Sequence, residues 1–534
     1  MKKLTTNLLL FVGLLAMTGC ASEDNTPQPQ PEPNVMTEFA MVEEKPASQL
    51  APSRTAGEYT GTKLKFYWTA GDKLFLNNGT DLQQSVRDNL GTQLVGSVTK
   101  VPTASFWFAG TFSNLNYPLR YTGKNGAKDK VTIAATQTQP LPADASHIGE
   151  SGDCGTATAT KSGNHYDFTL EHKAAYFTLT PFTTDATLVG GKLTKIKITA
   201  NKPIAGTFDF DDSGLNTANA PASPSNSITL NLKGADNNGF TLPAAASVTA
   251  NAATIVLPPG TYSPFKIEYT VTHPISGISA TTTMNYPTVK FNAGKNKKLA
   301  PELAVTIPVH YLYSDGTTAP LAQAAGRTPI GVVIIEKTAD TRGTAIALND
   351  APTQDPMPGG PIGTTRWGDG SNIDKSSDFN VIYNDMNGSH YTWDRNASIN
   401  NVTKGETPTC YAFYTAAKYN PGPTITGTNI SKWYLPAAGE FLRALELLGR
   451  AQKATAMEIS TKFALDWNYL NSFFTAAGGT ALQSYWYHTS SEVSLTKSVT
   501  IVIDGNGGMT PLNKYSLTDM DDKGAEYVRP FIHF

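Results

Sequence analysis

The chain has 534 residues, a formal net charge of -2, a charged fraction of 16%, 45 glycines and 34 prolines. That length suits three or four domains. The near-neutral charge leaves no basic footprint for a nucleic-acid partner, and a low-charge chain rich in Thr, Ser, Ala, Asn and Gly fits an extracellular β-rich protein better than a cytosolic enzyme. With only three cysteines, a disulfide framework is disfavoured, and Cys154 and Cys410 read as free buried thiols.

The first predicted element, residues 1–19, is a secretory leader. Lys2 and Lys3 precede the apolar run Leu8–Met17, which is too short to cross a bilayer as a helix. The run ends in Met17-Thr18-Gly19-Cys20, which resembles a bacterial lipobox with Met where Leu is commoner. Cys20 is then the lipidated (palmitate-bearing) first residue of an exported lipoprotein. Residues 20–54 begin as a tether: Glu23 and Asp24 resemble the surface-export signal of Bacteroidetes lipoproteins, and Pro27, Pro29, Pro31 and Pro33 favour stiff polyproline conformation. Val35–Val42 has the composition of one strand, broken by Pro46 and Pro52. Arg54 by itself reads as a solvated loop arginine, followed by Thr55, Ala56 and Gly57, small enough for a protease to accommodate.

Two β-sandwich-like stretches are expected over 55–185 and 186–305. In the first, FYWTAGDKLFL (Phe66–Leu76) and DFTLEHKAAYFTL (Asp167–Leu179) stand out, the latter as a strand with one buried face. His172 has no second histidine nearby and reads as structural. In the second, Lys192–Ala200, Ile204–Phe210, Thr254–Tyr262 and Phe265–Thr272 form a strand-turn rhythm, with Leu193, Ile196 and Ile198 as the apolar positions of the first of these.

The third expected unit, 306–534, is organised around WYLPAAGEFLR (Trp433–Arg443). There Pro436 suits a first helical turn, Phe441, Leu442, Leu445 and Leu448 share a face, and Gly449 ends the helix. Phe463, Trp467, Leu470 and Phe474 repeat at helical spacing, and Trp433, Trp467 and Trp486 belong to the core. Trp367, Tyr391 and Trp393 lie among Gly, Asn, Asp and Ser. They either offer aromatic faces to a sugar or protein ligand, or plug the loop layer from inside. No phosphate loop, nucleophile elbow, HExxH, paired CxxC or intact EF-hand occurs, so neither enzyme chemistry nor a cofactor is expected. Asp519, Asp521 and Asp522 begin an EF-hand-like pattern that fails at its twelfth position, Pro530, and remain weak metal candidates.

The blocks Tyr311–Ile334, Trp433–Arg443, Gly478-Gly479, Tyr485–Glu492 and Glu526–Phe534, in this order, resemble the C-type-lectin-like terminal domain of some Bacteroidetes fimbrillin-family proteins. Phe66–Leu76 and Asp167–Leu179 resemble that family's shaft domains. The resemblance implies a mainly β chain: two transthyretin-like fimbrillin β-sandwich domains, then an α+β C-type-lectin-like domain of two helices and a curled sheet. It implies an outer-membrane lipoprotein precursor cut between Arg54 and Thr55 by an Arg-specific protease. Loss of 20–54 with its strand then lets a shaft or adaptor subunit donate a strand, conceived here as replacing an edge strand. Because the chain ends inside its closing strand with no segment to donate, it implies a fimbrial tip adhesin, binding a host or bacterial glycan or protein through the terminal loops. The EPN, QPD and WND triplets of calcium-dependent sugar binding are missing. The alternative is a lipid-anchored glycan-binding protein or fimbrial base anchor that is never cut.

Overall fold

A computed structural model describes residues 35–42, 56–353, 362–451, 462–503, 507–514 and 525–534. Cys20, Arg54, Thr55, Asp519, Asp521 and Asp522 lie outside the described residues. The chain is mainly β.

The first sheet contains β1 (Met36–Met41), β2 (Ser105–Ala109), β3 (Asn116–Tyr121), β4 (Gly155–Ser162) and β5 (His165–Phe168). Their spatial order is β3-β4-β5-β1-β2. β1 runs antiparallel to β2, Phe39 opposite Phe106, and parallel to β5, Phe39 opposite Tyr166. The expected edge strand is therefore an interior one. Composition could show that Val35–Val42 is extended, but whether one or both of its edges are paired depends on segments far along the chain.

Downstream lie β6 (Ala175–Leu179), β7 (Lys192–Ala200), β8 (Ser227–Leu232), β9 (Ala253–Leu257), β10 (Phe265–Thr272) and β11 (Ser279–Tyr286). A second sheet orders Thr136–Gln139, β8, β7, β10 and β11, while β6 pairs with β9 on one side and Asn296–Leu299 on the other. Strands from before and after residue 185 thus share sheets, and one apolar cluster runs from Tyr59 to Val305. β10 buries alternate residues, as a sheet with one solvated face should. In β7 the odd spacing from Leu193 to Ile196 is absorbed by a register shift between Leu193 and Lys195, which returns both apolar residues to the core face. β6 departs from the one-faced expectation: all five residues are buried, because it is covered on both faces.

The chain closes through β12 (Tyr311–Tyr313), β13 (Pro329–Ile335), β14 (Thr344–Ala347), α1 (Phe379–Tyr383), α2 (Gly388–Trp393), α3 (Tyr411–Ala417), α4 (Ala438–Gly449), α5 (Trp467–Ala476), β15 (Trp486–Glu492), β16 (Lys497–Ile503), β17 (Gly507–Asn513) and β18 (Phe531–His533). One sheet orders β12-β13-β14-β18 and another β17-β16-β15. α4 buries Phe441, Leu442, Leu445 and Leu448 as its spacing dictates, in a cluster with Leu470, Phe474, Val499 and Ile501. The helix begins at Ala438, two residues after Pro436, and its last residue is Gly449, while the left-handed cap is the next residue, Arg450, with φ 53°. Gly449 is small for a packing reason, since a Cβ there would strike Leu465.

Candidate interaction sites

β1 occupies a slot with an apolar floor. Phe39 is fully buried, stacked on Tyr166 at 4.6 Å between ring centroids and met edge-on by Phe108 at 5.1 Å and Phe112 at 5.6 Å. Met41 follows two residues on, and the Trp68 indole N–H donates to its Sδ at 3.0 Å. Beneath the slot the Trp68 block is held by Asp72, which accepts from the Thr69 amide at 2.7 Å and the Tyr121 hydroxyl at 3.0 Å. At its ends β1 is fixed by backbone bonds from Gly110 N to Val35 O at 2.6 Å and from Val42 N to Phe168 O at 3.1 Å. A six-residue strand carrying Phe and Met two apart satisfies this slot, and backbone pairing demands nothing further of its sequence.

His172 is structural: its Nδ1 lies 2.8 Å from buried Asp153, which also accepts from the Tyr176 hydroxyl. Cys154 and Cys410 are both free and buried, and burial pushes the Cys410 thiol up to about 11.

The three loop aromatics are not equivalent. Trp367 is 1% exposed and donates its indole N–H to Thr489 O at 2.8 Å, and Tyr391 is 4% exposed, so both plug the loop layer from inside. Trp393 alone stays partly exposed: its indole N–H donates to Trp433 O at 3.1 Å while Lys432 Nζ lies 4.4 Å from its ring centroid. It lines an open cleft of about 640 Å³ together with Arg342, His390, Asp394, Arg395 and His533. Of the three loop aromatics, it is the one with an exposed face. Trp433 is buried, whereas Trp467 and Trp486 are only partly so.

The terminal region also buries charges that periodicity could not reveal. Arg529 pairs with Asp350 at 2.7 Å and donates to Ala347 O, Thr480 O and Ala481 O, tying β14 to the turn after α5. His488 sits 3.0 Å from Glu526, which also accepts from Thr500. Glu440 accepts from Ala437 N at 2.8 Å and the Tyr434 hydroxyl at 2.7 Å, satisfying the start of α4 in place of a capping side chain that Ala437 lacks; burial pushes its carboxyl up to about 8. Ser491 Oγ accepts from Ala438 N at 2.9 Å and completes that helix start. The signal for these groups was charge inside blocks with apolar and aromatic residues: Glu440 in WYLPAAGEFLR, and Glu526 and Arg529 in EYVRPFIHF.

No protein-family model matches the chain, and no curated protein matches it. Among solved structures, the chain is similar to a fimbrial protein from Bacteroides ovatus at 12% identity and TM-score 0.25, over 94% of this chain and 99% of that one. It is also similar to a candidate cell adhesion protein from Bacteroides ovatus at 14% identity and TM-score 0.30, over 52% of this chain and 96% of that one. A candidate cell adhesion protein from Bacteroides uniformis matches at 14% identity and TM-score 0.26, over 51% of this chain and 96% of that one.

Proposed function

We propose that this chain is a cell-surface fimbrial subunit, a tip adhesin assembled by protease-triggered strand exchange. The observation that carries the reading is β1: it follows a lipoprotein-type leader and tether, precedes Arg54, and buries Phe39 in a slot paired on both sides. Cleavage between Arg54 and Thr55 leaves β1 bound without a covalent link. A strand donated by a shaft or adaptor subunit then displaces it pair by pair, replacing each backbone bond and apolar contact as it enters. The exchange is nearly balanced in contacts, so it needs no cofactor. The lipid departs with residues 20–54, and the chain passes from outer membrane to fimbria. The terminal region then meets a glycan or protein ligand through the Trp393 cleft.

A second reading, a lipid-anchored glycan-binding protein or base anchor that is never cut, is favoured by the same two-sided pairing. An interior strand is harder to lose than an edge strand. The N-terminal residue and mass of the protein recovered from its own cell surface separate the two. A chain beginning at Thr55 in high-mass fibres is the expected result; one beginning at lipidated Cys20 overturns exchange at this end. Glycan arrays probed with the recovered protein and with Trp393→Ala test the cleft, and equal binding by both removes it from the reading.

A further inference from the structure

Three charged side chains meet in a dry pocket between the loop after Trp367, the turn Lys404–Glu406 and the end of β15. Lys404 and Asn372 are 0% exposed, and Glu492 and Lys514 have fully buried side chains. The Lys404 ammonium donates to Asn372 Oδ1, a contact that is its one hydrogen bond among the described residues. The Asn372 carboxamide is oriented for this contact, because its Nδ2 donates to Ser490 O at 2.6 Å and so turns Oδ1 towards the lysine. Glu492 lies against the same residue: Oε1 accepts from the Asn372 backbone N–H at 2.7 Å, and Oε2 is 2.7 Å from Lys514 Nζ. Phe413 covers Lys404 with its ring centroid 4.4 Å from Nζ, and Trp367 lies beyond at 5.8 Å.

The charges here do not balance. Two buried lysines face one buried carboxylate; Lys375 adds a further positive charge, its Nζ donating to Asn372 O at 2.5 Å, and Asp369 and Asp374 of the same loop are exposed. Lys514 holds the carboxylate directly, so Lys404 makes no ion pair among the described residues; burial lowers its pKa to about 8 against the opposing pull of the Glu492 charge. An ammonium that gives up its proton more readily than an exposed lysine, touching a fixed carboxamide beside a buried carboxyl and away from solvent, is the arrangement that amide exchange requires.

We propose that Lys404 and Asn372 become joined through a spontaneous intramolecular amide between Lys404 Nζ and Asn372 Cγ, with Glu492 carrying the protons. Lys404 passes one proton to Glu492, and the neutral Nζ attacks Cγ. The new N–C bond forms as the carbonyl π pair moves onto Oδ1, which takes the proton from Glu492. A second proton moves from Nζ through Glu492 to Nδ2. The Cγ–Nδ2 bond breaks, the carbonyl reforms, and the proton leaving Oδ1 departs with the nitrogen as ammonium. No oxidant is needed. The product closes residues 372–404 into a ring that carries α1, α2 and the Trp393 cleft, so the loops with least regular structure are held by a covalent bond.

The test is tryptic mass analysis of the reduced and alkylated full chain. The bond predicts Trp367–Lys375 joined to Asn396–Lys418, uncut after Lys404, at the summed mass less one ammonia, with the branch at Asn372 and Lys404 in the fragment spectrum. Linear Trp367–Lys375 with an intact Asn372, together with linear 396–404, overturns it. Lys404→Arg and Glu492→Gln are each expected to yield only linear peptides. A joined peptide in Glu492→Gln removes the carboxyl from the proposal, and because the unsubstituted chain decides the bond itself, a variant that fails to fold leaves the test intact.

Discussion

Around β1 the interior is built of Phe39, Trp68, Phe106, Phe108, Tyr117 and Tyr166, whereas the terminal region buries Glu440, Glu492, Glu526, Lys404, Lys514 and Arg529. Apolar contact is non-directional, so a slot made of it accepts any strand of matching pattern. A buried charge needs one particular partner at one distance, and its loss leaves the other charge stranded. One region is therefore tolerant of changes in its apolar side chains, the other dependent on particular polar partners. The shared feature is complete burial.

The largest expected effect breaks the polar side of this contrast. Arg529→Ala strands Asp350 and releases three carbonyls, and should lower unfolding free energy by about 3–5 kcal/mol, read from the urea midpoint. A loss of less than about 1 kcal/mol would mean that the buried ions contribute little.

Next is pH. Glu440 is held protonated when folded up to about pH 8, while its unfolded value is 4.5. The folded state therefore binds more protons across that window, and the stability Glu440 supports falls as pH rises through it, by on the order of a few kcal/mol. His273 behaves oppositely. Burial depresses it to about 4, and its Nδ1 accepts from the Ile275 and Ser276 amides at 3.2 Å, a role only the neutral ring can fill. The unfolded histidine binds the proton first, so stability there is lost as pH falls from 6.5 towards 4. Hydrogen exchange at pH 5 and pH 8 should show the β10–β11 turn loosening in acid and the start of α4 loosening in alkali. Glu440→Gln should flatten only the alkaline limb.

A smaller effect sharpens the apolar side. Phe39→Leu keeps an apolar side chain in the slot and loses ring stacking, a cost of about 1–2 kcal/mol. If it matched Arg529→Ala, the slot would be as exacting as the ion pairs. Smallest is Lys432→Ala, which removes an exposed pair with Glu406 at 3.7 Å and a cation over Trp393; thermal unfolding should register a change near 0.5 kcal/mol or less.

Local patterning placed much of this in advance. Val35–Val42 reads as a strand and becomes β1, and Phe441, Leu445 and Leu448 mark the buried face of α4, because periods of two and 3.6 are properties of the backbone itself. Phe463 misleads at the same period: the helix starts at Trp467, where the Asp466 side chain caps it by accepting from Tyr469 N, and Phe463 belongs to the short strand before it. The polar context of Trp367 and Tyr391 left their exposure open, since a loop's sequence does not say which way its aromatics face.

By itself the sequence determined the strand-turn rhythm and the helical faces, both of which depend on neighbours a few residues apart. Only the tertiary structure decided that β1 is paired on both sides and that Lys404, Asn372 and Glu492 share one dry pocket. Those outcomes rest on contacts between segments tens of residues apart or more, and no local period encodes a contact whose partner is that distant.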